Sequence, residues 1–143
     1  MTKNGYDFVV DCSLVMTWCF DDEINDYSDT ILEKLNDSKA VVPTIWALEV
    51  ANVLLLSQRR KRITSVKSAS FIDTLSRLPI FIDESTTSRA MHSIFVLANE
   101  LNLTVYDAAY LELAIREKIP LFTMDKGLIA AAEKMNISTK IKQ

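Results

Sequence analysis

The stretch Phe8-Val9-Val10-Asp11-Cys12-Ser13-Leu14-Val15-Met16-Thr17-Trp18-Cys19 decides how this chain is read. Three apolar residues make a short buried strand that stops at an acid, and the helical spacing of Leu14, Val15, Trp18 and Cys19 begins directly behind it. This is a strand-to-helix unit with a carboxylate at the junction.

The unit repeats along the chain. After a second helix over about Tyr27 to Leu35, Ala40-Val41-Val42-Pro43 reads as a strand and Thr44 as the cap of a long helix running through Arg60. An amphipathic helix over about Ser65 to Leu78 leads to a third strand, Pro79-Ile80-Phe81-Ile82-Asp83, and then to a helix carrying Met91, Phe95, Leu97 and Leu101. Thr104 opens a further helix with Tyr106, Ala109, Tyr110, Leu113 and Ala114. Pro120 to Asp125 supplies a fourth strand, Lys126 to Met135 a last helix, and Ile137 to Ile141 a weak edge strand. Such alternation implies an α/β fold whose parallel sheet is covered on both faces and joined by right-handed crossovers. Sites in these sheets form beyond the carboxyl ends of the strands, which places Asp11 and Asp125 on one rim from opposite parts of the chain.

With 143 residues, 49% of them apolar, the chain can fill one core, and a single domain over residues 1–143 is expected. Only 2 Gly and 3 Pro favour long helices with short connections. The N-terminus is too brief and polar for a signal peptide, and no run approaches the ~18 apolar residues of a membrane span, so a cytoplasmic location is expected. Cys12 and Cys19 form neither a disulfide framework nor a zinc pattern and read as buried thiols. The lone histidine, His92, makes a zinc site unsuited and receives no role.

A net charge of −3 argues against a protein that coats nucleic acid through a general positive field, so any such contact must be local. The one obvious cationic cluster is Arg59-Arg60-Lys61-Arg62. It reads either as an RNA contact or as a solvated last helical turn that suits the negative end of the helix dipole.

Four acids are candidates for chemistry, and each has a structural alternative. Asp11 and Asp125 can cap the helices that follow them. Asp107 completes a capping box with Thr104. Glu49 is harder to explain structurally: from Ile45 to Leu56 only Glu49 and Asn52 are polar, on a helix whose apolarity predicts burial. A buried, unpaired carboxylate is costly, and no Lys or Arg lies between Lys3 and Lys34 or between Lys39 and Arg59. A hard divalent cation, Mg²⁺ or Mn²⁺, would resolve the conflict with oxygen ligands alone.

Taken in order, Val10-Asp11-Cys12-Ser13, Glu49-Val50-Ala51-Asn52, Tyr106-Asp107-Ala108-Ala109-Tyr110 and Thr123-Met124-Asp125 resemble the motifs of the PIN-domain nucleases over nearly the whole chain. The pattern is most similar to VapC-type toxins of toxin–antitoxin pairs, with Trp18 in the first helix and the basic turn at Arg59 to Arg62. The resemblance implies a three-layer α/β/α sandwich with strand order 3-2-1-4-5 and about seven helices. It further implies a metal-dependent endoribonuclease, a homodimer and a cognate antitoxin. Asp11, Glu49, Asp107 and Asp125 match the family's acidic quartet, and Ser13 and Thr123 match its supporting hydroxyls, with Asn52 a further polar candidate. A cation held there would activate water for attack on phosphorus, giving a 5′-phosphate and a 3′-hydroxyl by analogy. Two other readings compete: a PIN-like binding module that does not cut, and a Mg²⁺-dependent phosphotransfer domain. Asp11-Cys12-Ser13 lacks the Asp-x-Asp or adjacent acidic pair that the latter needs.

Overall fold

The computed structural model describes residues 5–142. Strands β1 (Phe8–Val10), β2 (Ala40–Pro43), β3 (Ile80–Asp83) and β4 (Leu121–Phe122) form one parallel sheet in the order β3-β2-β1-β4. The helices are α1 (Cys12–Thr17), α2 (Asp26–Lys34), α3 (Ile45–Arg59), α4 (Ser65–Ser76), α5 (Thr86–Arg89), α6 (Phe95–Leu101), α7 (Val105–Glu117) and α8 (Lys126–Lys134). Short α5 and α6 are two halves of one broken helix. They meet at a π-type turn, Ala90–Ile94, where Met91 and His92 leave helical geometry, so that seven helical bodies surround the sheet.

Both central strands, β1 and β2, are buried along their whole length, as their unbroken apolar sequences require in a sheet covered on both faces. Val9, Val10, Val41 and Val42 meet Leu14 and Val15 of α1, Ile31 of α2 and Leu111 and Leu113 of α7 in the core. Strand β3 is the half-exposed edge. Its Phe81 leans on Tyr6 and lies under the Lys39 ammonium.

Among the described residues the sheet has four strands, and the fifth expected at Ile137 to Ile141 does not form. Only one backbone hydrogen bond, from Leu121 N–H to Ser138 O, joins this segment to β4. The Thr139 carbonyl is taken by the Tyr27 hydroxyl at 2.8 Å, and the Ser138 hydroxyl turns back on the Lys140 backbone. With those groups committed elsewhere, no ladder can propagate. Strand β4 is likewise shorter than its apolar run, since Thr123 to Asp125 leave the sheet to open α8.

Two further expectations are corrected. Thr44 does not cap α3 with its side chain; its N–H instead donates to Thr86 Oγ1 at 3.0 Å. Nor is α3 buried all round. Trp46, Val50 and Leu54 face the core, whereas Leu48, Leu55 and Leu56 are exposed along with Asn52. The apolar residues of α3 thus divide between the core and an exposed face.

Candidate functional site

Asp11 follows the last residue of β1, and the β1–β4 register, Val9 against Leu121 and Val10 against Phe122, brings Thr123 alongside it. Thr123 Oγ1 donates to Asp11 Oδ2 at 2.6 Å, Ser13 Oγ lies 2.8 and 3.0 Å from the two carboxylate oxygens, and Leu14 N–H donates to Oδ1 at 3.1 Å. Ser13 and Thr123 also accept from the N–H groups of Met124 and Asp125. Two hydroxyls thus fix the carboxylate and tie β1 to the turn after β4. Asp11 is the N-cap of α1 as well, so its structural role and its place on the strand-end rim coincide.

Asp125 caps α8 through Leu128 N–H, and Asp107 sits in the first turn of α7, where Thr104 Oγ1 accepts from its N–H. Glu49, half-buried on α3, receives a 2.6 Å hydrogen bond from the Tyr110 hydroxyl, one turn beyond Asp107 on α7. Helix α7 therefore positions one acid itself and holds another through Tyr110. Tyr110 was visible in the sequence as part of an apolar helix and as the end of the Tyr106 to Tyr110 motif, but nothing in its spacing announced a carboxylate partner 61 positions away.

The electrostatics link these side chains. Burial pushes the Asp11 pKa up to about 6 against the pull of the Thr123, Ser13 and Leu14 hydrogen bonds, and the Asp107 charge adds to the rise. Burial also raises Glu49, opposed by Tyr110 and reinforced by Asp107. Asp107 is raised by burial and by Asp125, with Thr104 opposing. The influences on all three include only acids and neutral hydrogen-bonding groups, with no cation. Among the described residues no three His, Cys, Asp or Glu side chains converge closely enough to form a ready-made ion cage. The all-oxygen donor set nevertheless fits a hard cation that keeps several of its waters, because it offers negative charge that nothing else neutralises.

The remaining candidates divide. Asn52 is exposed on α3, with no hydrogen bond to the acids among those described. Arg59, Arg60 and Lys61 are exposed at the end of α3. Arg62 instead pairs with Asp22 at 2.9 Å and Glu23 at 2.7 Å, and its guanidinium lies 3.8 Å from the centre of the Phe20 ring. His92 is exposed at the helix break, far in sequence from every acid of the site. Both cysteines are buried free thiols, and burial pushes Cys12, beside Glu49 and Asp11, up to about 12.

Tyr110→Phe should raise the Glu49 pKa further by removing a hydrogen bond that favours the carboxylate. NMR titration of the Glu49 carboxyl should show this upward shift; an unchanged Glu49 titration would remove Tyr110 from the site.

A parallel α/β sheet with hydroxyl-clamped and helix-borne carboxylates at one rim defines a class of acidic strand-end sites. The chain belongs to the PIN domain family, whose model matches residues 8–134. A comparison with curated proteins finds no match. Among solved structures the fold is similar to PAE2754 from Pyrobaculum aerophilum, with a TM-score of 0.67 and 22% identity over 89% of this chain and 80% of that one. It is similar also to VapBC2 from Rickettsia felis, bound to a DNA fragment from its promoter, with a TM-score of 0.64 and 15% identity over 95% and 98%. Mycobacterium tuberculosis VapC20, a sarcin–ricin loop cleaving toxin, gives a TM-score of 0.59 and 13% identity over 87% and 95%. No helix among the described residues is long and apolar enough to cross a membrane.

Proposed function

We propose that this protein is a Mg²⁺- or Mn²⁺-dependent endoribonuclease and the toxin of a toxin–antitoxin pair. The observation that carries the reading is the mutual influence of Asp11, Glu49, Asp107 and Asp125, brought by four different parts of the chain to one rim with no cation acting on the three raised carboxyls. Membership of the PIN family and the likeness to an RNA-cleaving toxin support it.

Asp11, Glu49, Asp107 and Asp125 would hold the ion. When bound, it supplies Lewis acidity that activates water and stabilises the leaving oxygen. Ser13 and Thr123 keep the Asp11 carboxylate in one orientation, and Tyr110 does the same for Glu49. Tyr110 remains a neutral donor because burial, together with the Glu49 charge, raises its own pKa. An antitoxin is the expected protein partner. A second copy of the chain has a candidate docking face in the hollow bounded by Ile45, Leu48, Ile94, Val105 and Tyr106.

Cleavage of a mixed RNA pool with Mg²⁺ or Mn²⁺, beside EDTA and Asp107→Asn controls, tests the reading. Cutting that needs the ion and disappears in the variant is expected; cutting that persists in EDTA would sink the metal requirement. That no three His, Cys, Asp or Glu side chains converge into an ion cage among the described residues also suits a PIN-like binding module. That second reading requires the wild type to bind RNA and leave it intact with either ion present.

A further inference from the structure

Beside the acids lies a cavity of about 500 Å³, most of whose lining has no part in the strand-end chemistry. Ser13 and Met124, within two residues of Asp11 and Asp125 in sequence, are part of its lining, and Met16 and Val53 supply apolar walls. Arg62 and Glu23 form its polar side. The volume lies within the ~300–1,000 Å³ of pockets that take small ligands.

We propose that this cavity receives one nucleobase of the RNA, from a nucleotide flanking the cleaved bond. The inference rests on the ribonuclease reading above and deepens it. Ser13, which hydrogen-bonds Asp11, and Met124, next to Asp125, line the cavity, so a phosphate held at the acids leaves a neighbouring base within reach of it. Thioether and aliphatic walls suit the flat apolar faces of a base, and bases also stack on guanidinium planes. Arg62, which lines the cavity, is held in place by Asp22 and Glu23 and lies over the Phe20 ring with its guanidinium carbon 3.8 Å from the ring centre.

The charge balance favours a base over a phosphate. Arg62 is already paired with Asp22 and Glu23, so a phosphate there would meet Glu23 with no spare cation. A base has no charge to repel. Its edge can donate to Glu23, which only accepts, and can accept from Arg62, which only donates.

Two measurements test the proposal. In the first, the intact protein is titrated with adenosine, guanosine, cytidine and uridine while the Met16 and Met124 methyl resonances are followed by NMR. Nucleosides carry no phosphate, so the response reports the cavity and not the acids. Saturable shifts of both methyls with at least one nucleoside, lost in Val53→Trp, are expected; methyls unmoved by all four overturn the proposal, whatever the protein does to RNA.

In the second, wild type, Val53→Trp and Glu23→Gln cut a randomised RNA pool with Mg²⁺, and the new ends are sequenced. A base preference at one position beside the cut, weakened roughly tenfold in the variants, is expected. Glu23 is partly exposed, so its variant keeps the test readable if Val53→Trp does not fold. An unchanged preference in folded variants overturns the proposal. Failure of the wild type to cut any RNA counts against the ribonuclease reading, and the nucleoside titration still decides the cavity.

Discussion

Asp11→Asn is expected to abolish RNA cleavage while making the ion-free protein more stable at neutral pH. The same burial causes both effects. Asp11 is 5% exposed, and its pKa stands at about 6 instead of 3.8. Below about pH 4 the carboxyl is protonated in folded and unfolded chains alike and contributes nothing. Between about 4 and 6 the folded chain holds a proton that the unfolded chain has released, so stability from this group falls as pH rises. Above about 6 the full penalty applies, about 3 kcal/mol at ~1.4 kcal/mol per unit.

Asparagine keeps an oxygen for Leu14 N–H and removes the charge, so urea unfolding at pH 7.5 should show a gain of about 1–3 kcal/mol that shrinks toward pH 4. Activity should fall by about a thousandfold or more, because outer partners of a metal site alone are worth about 10–100-fold. In the wild type, Mg²⁺ should raise the melting temperature more at pH 8 than at pH 5, since ion binding requires the deprotonated carboxylate. A folded Asp11→Asn protein that still cuts, or one less stable than wild type at pH 7.5, would contradict the role given to this residue.

Arg116→Met should cost about 3–5 kcal/mol, a large part of the 5–15 kcal/mol that holds a typical domain together. Arg116 lies between Asp83 at the end of β3, 2.8 Å away, and Glu112 on its own helix, 3.1 Å away. Glu112 is buried and also meets Arg89 and Ser93, at 3.5 and 3.4 Å. Burial alone would raise the Asp83 pKa, yet the Arg116 hydrogen bond and charge, with Ser85, hold it below the ordinary carboxylate value. The sign is opposite to that of Asp11. Stability from Asp83 is present above the unfolded carboxyl pKa and is lost as acid protonates the folded form.

Removing the guanidinium leaves the buried Glu112 carboxylate with Arg89, at 3.5 Å, as its remaining ionic partner and breaks the ion pair that joins β3 to α7. Guanidinium or urea melts should register the loss, and the variant should lose its neutral-pH advantage over acid conditions. A change under 1 kcal/mol would show that water replaces Arg116 freely. Because α7 also carries Asp107 and Tyr110, this network anchors the helix that the site depends on.

The alternation of β1, β2, β3 and β4 with helices was legible because short apolar runs alternate with stretches of helical spacing, although the run through Met124 did not show where β4 stops. Asp11 and Asp125 showed themselves at strand ends, and Asp107 at a cap, through local chemistry that a sequence records directly. Four motifs in order were enough for the family. The absent fifth strand was not legible, since Ile137 to Ile141 has the composition of a strand and loses its ladder only because Tyr27 and a local serine turn claim its backbone groups. The exposed face of α3 was hidden for a similar reason. Apolarity measures what a helix can bury, whereas what it does bury depends on which neighbours arrive. The Tyr110–Glu49 bond, the Arg116 network and the cavity between Met16 and Arg62 join residues dozens of positions apart. Sequence by itself determined the elements, their order and the acids, because those follow from periodicity and capping within a few residues; only the tertiary structure decided which carboxylates feel one another, because charge and burial act through space.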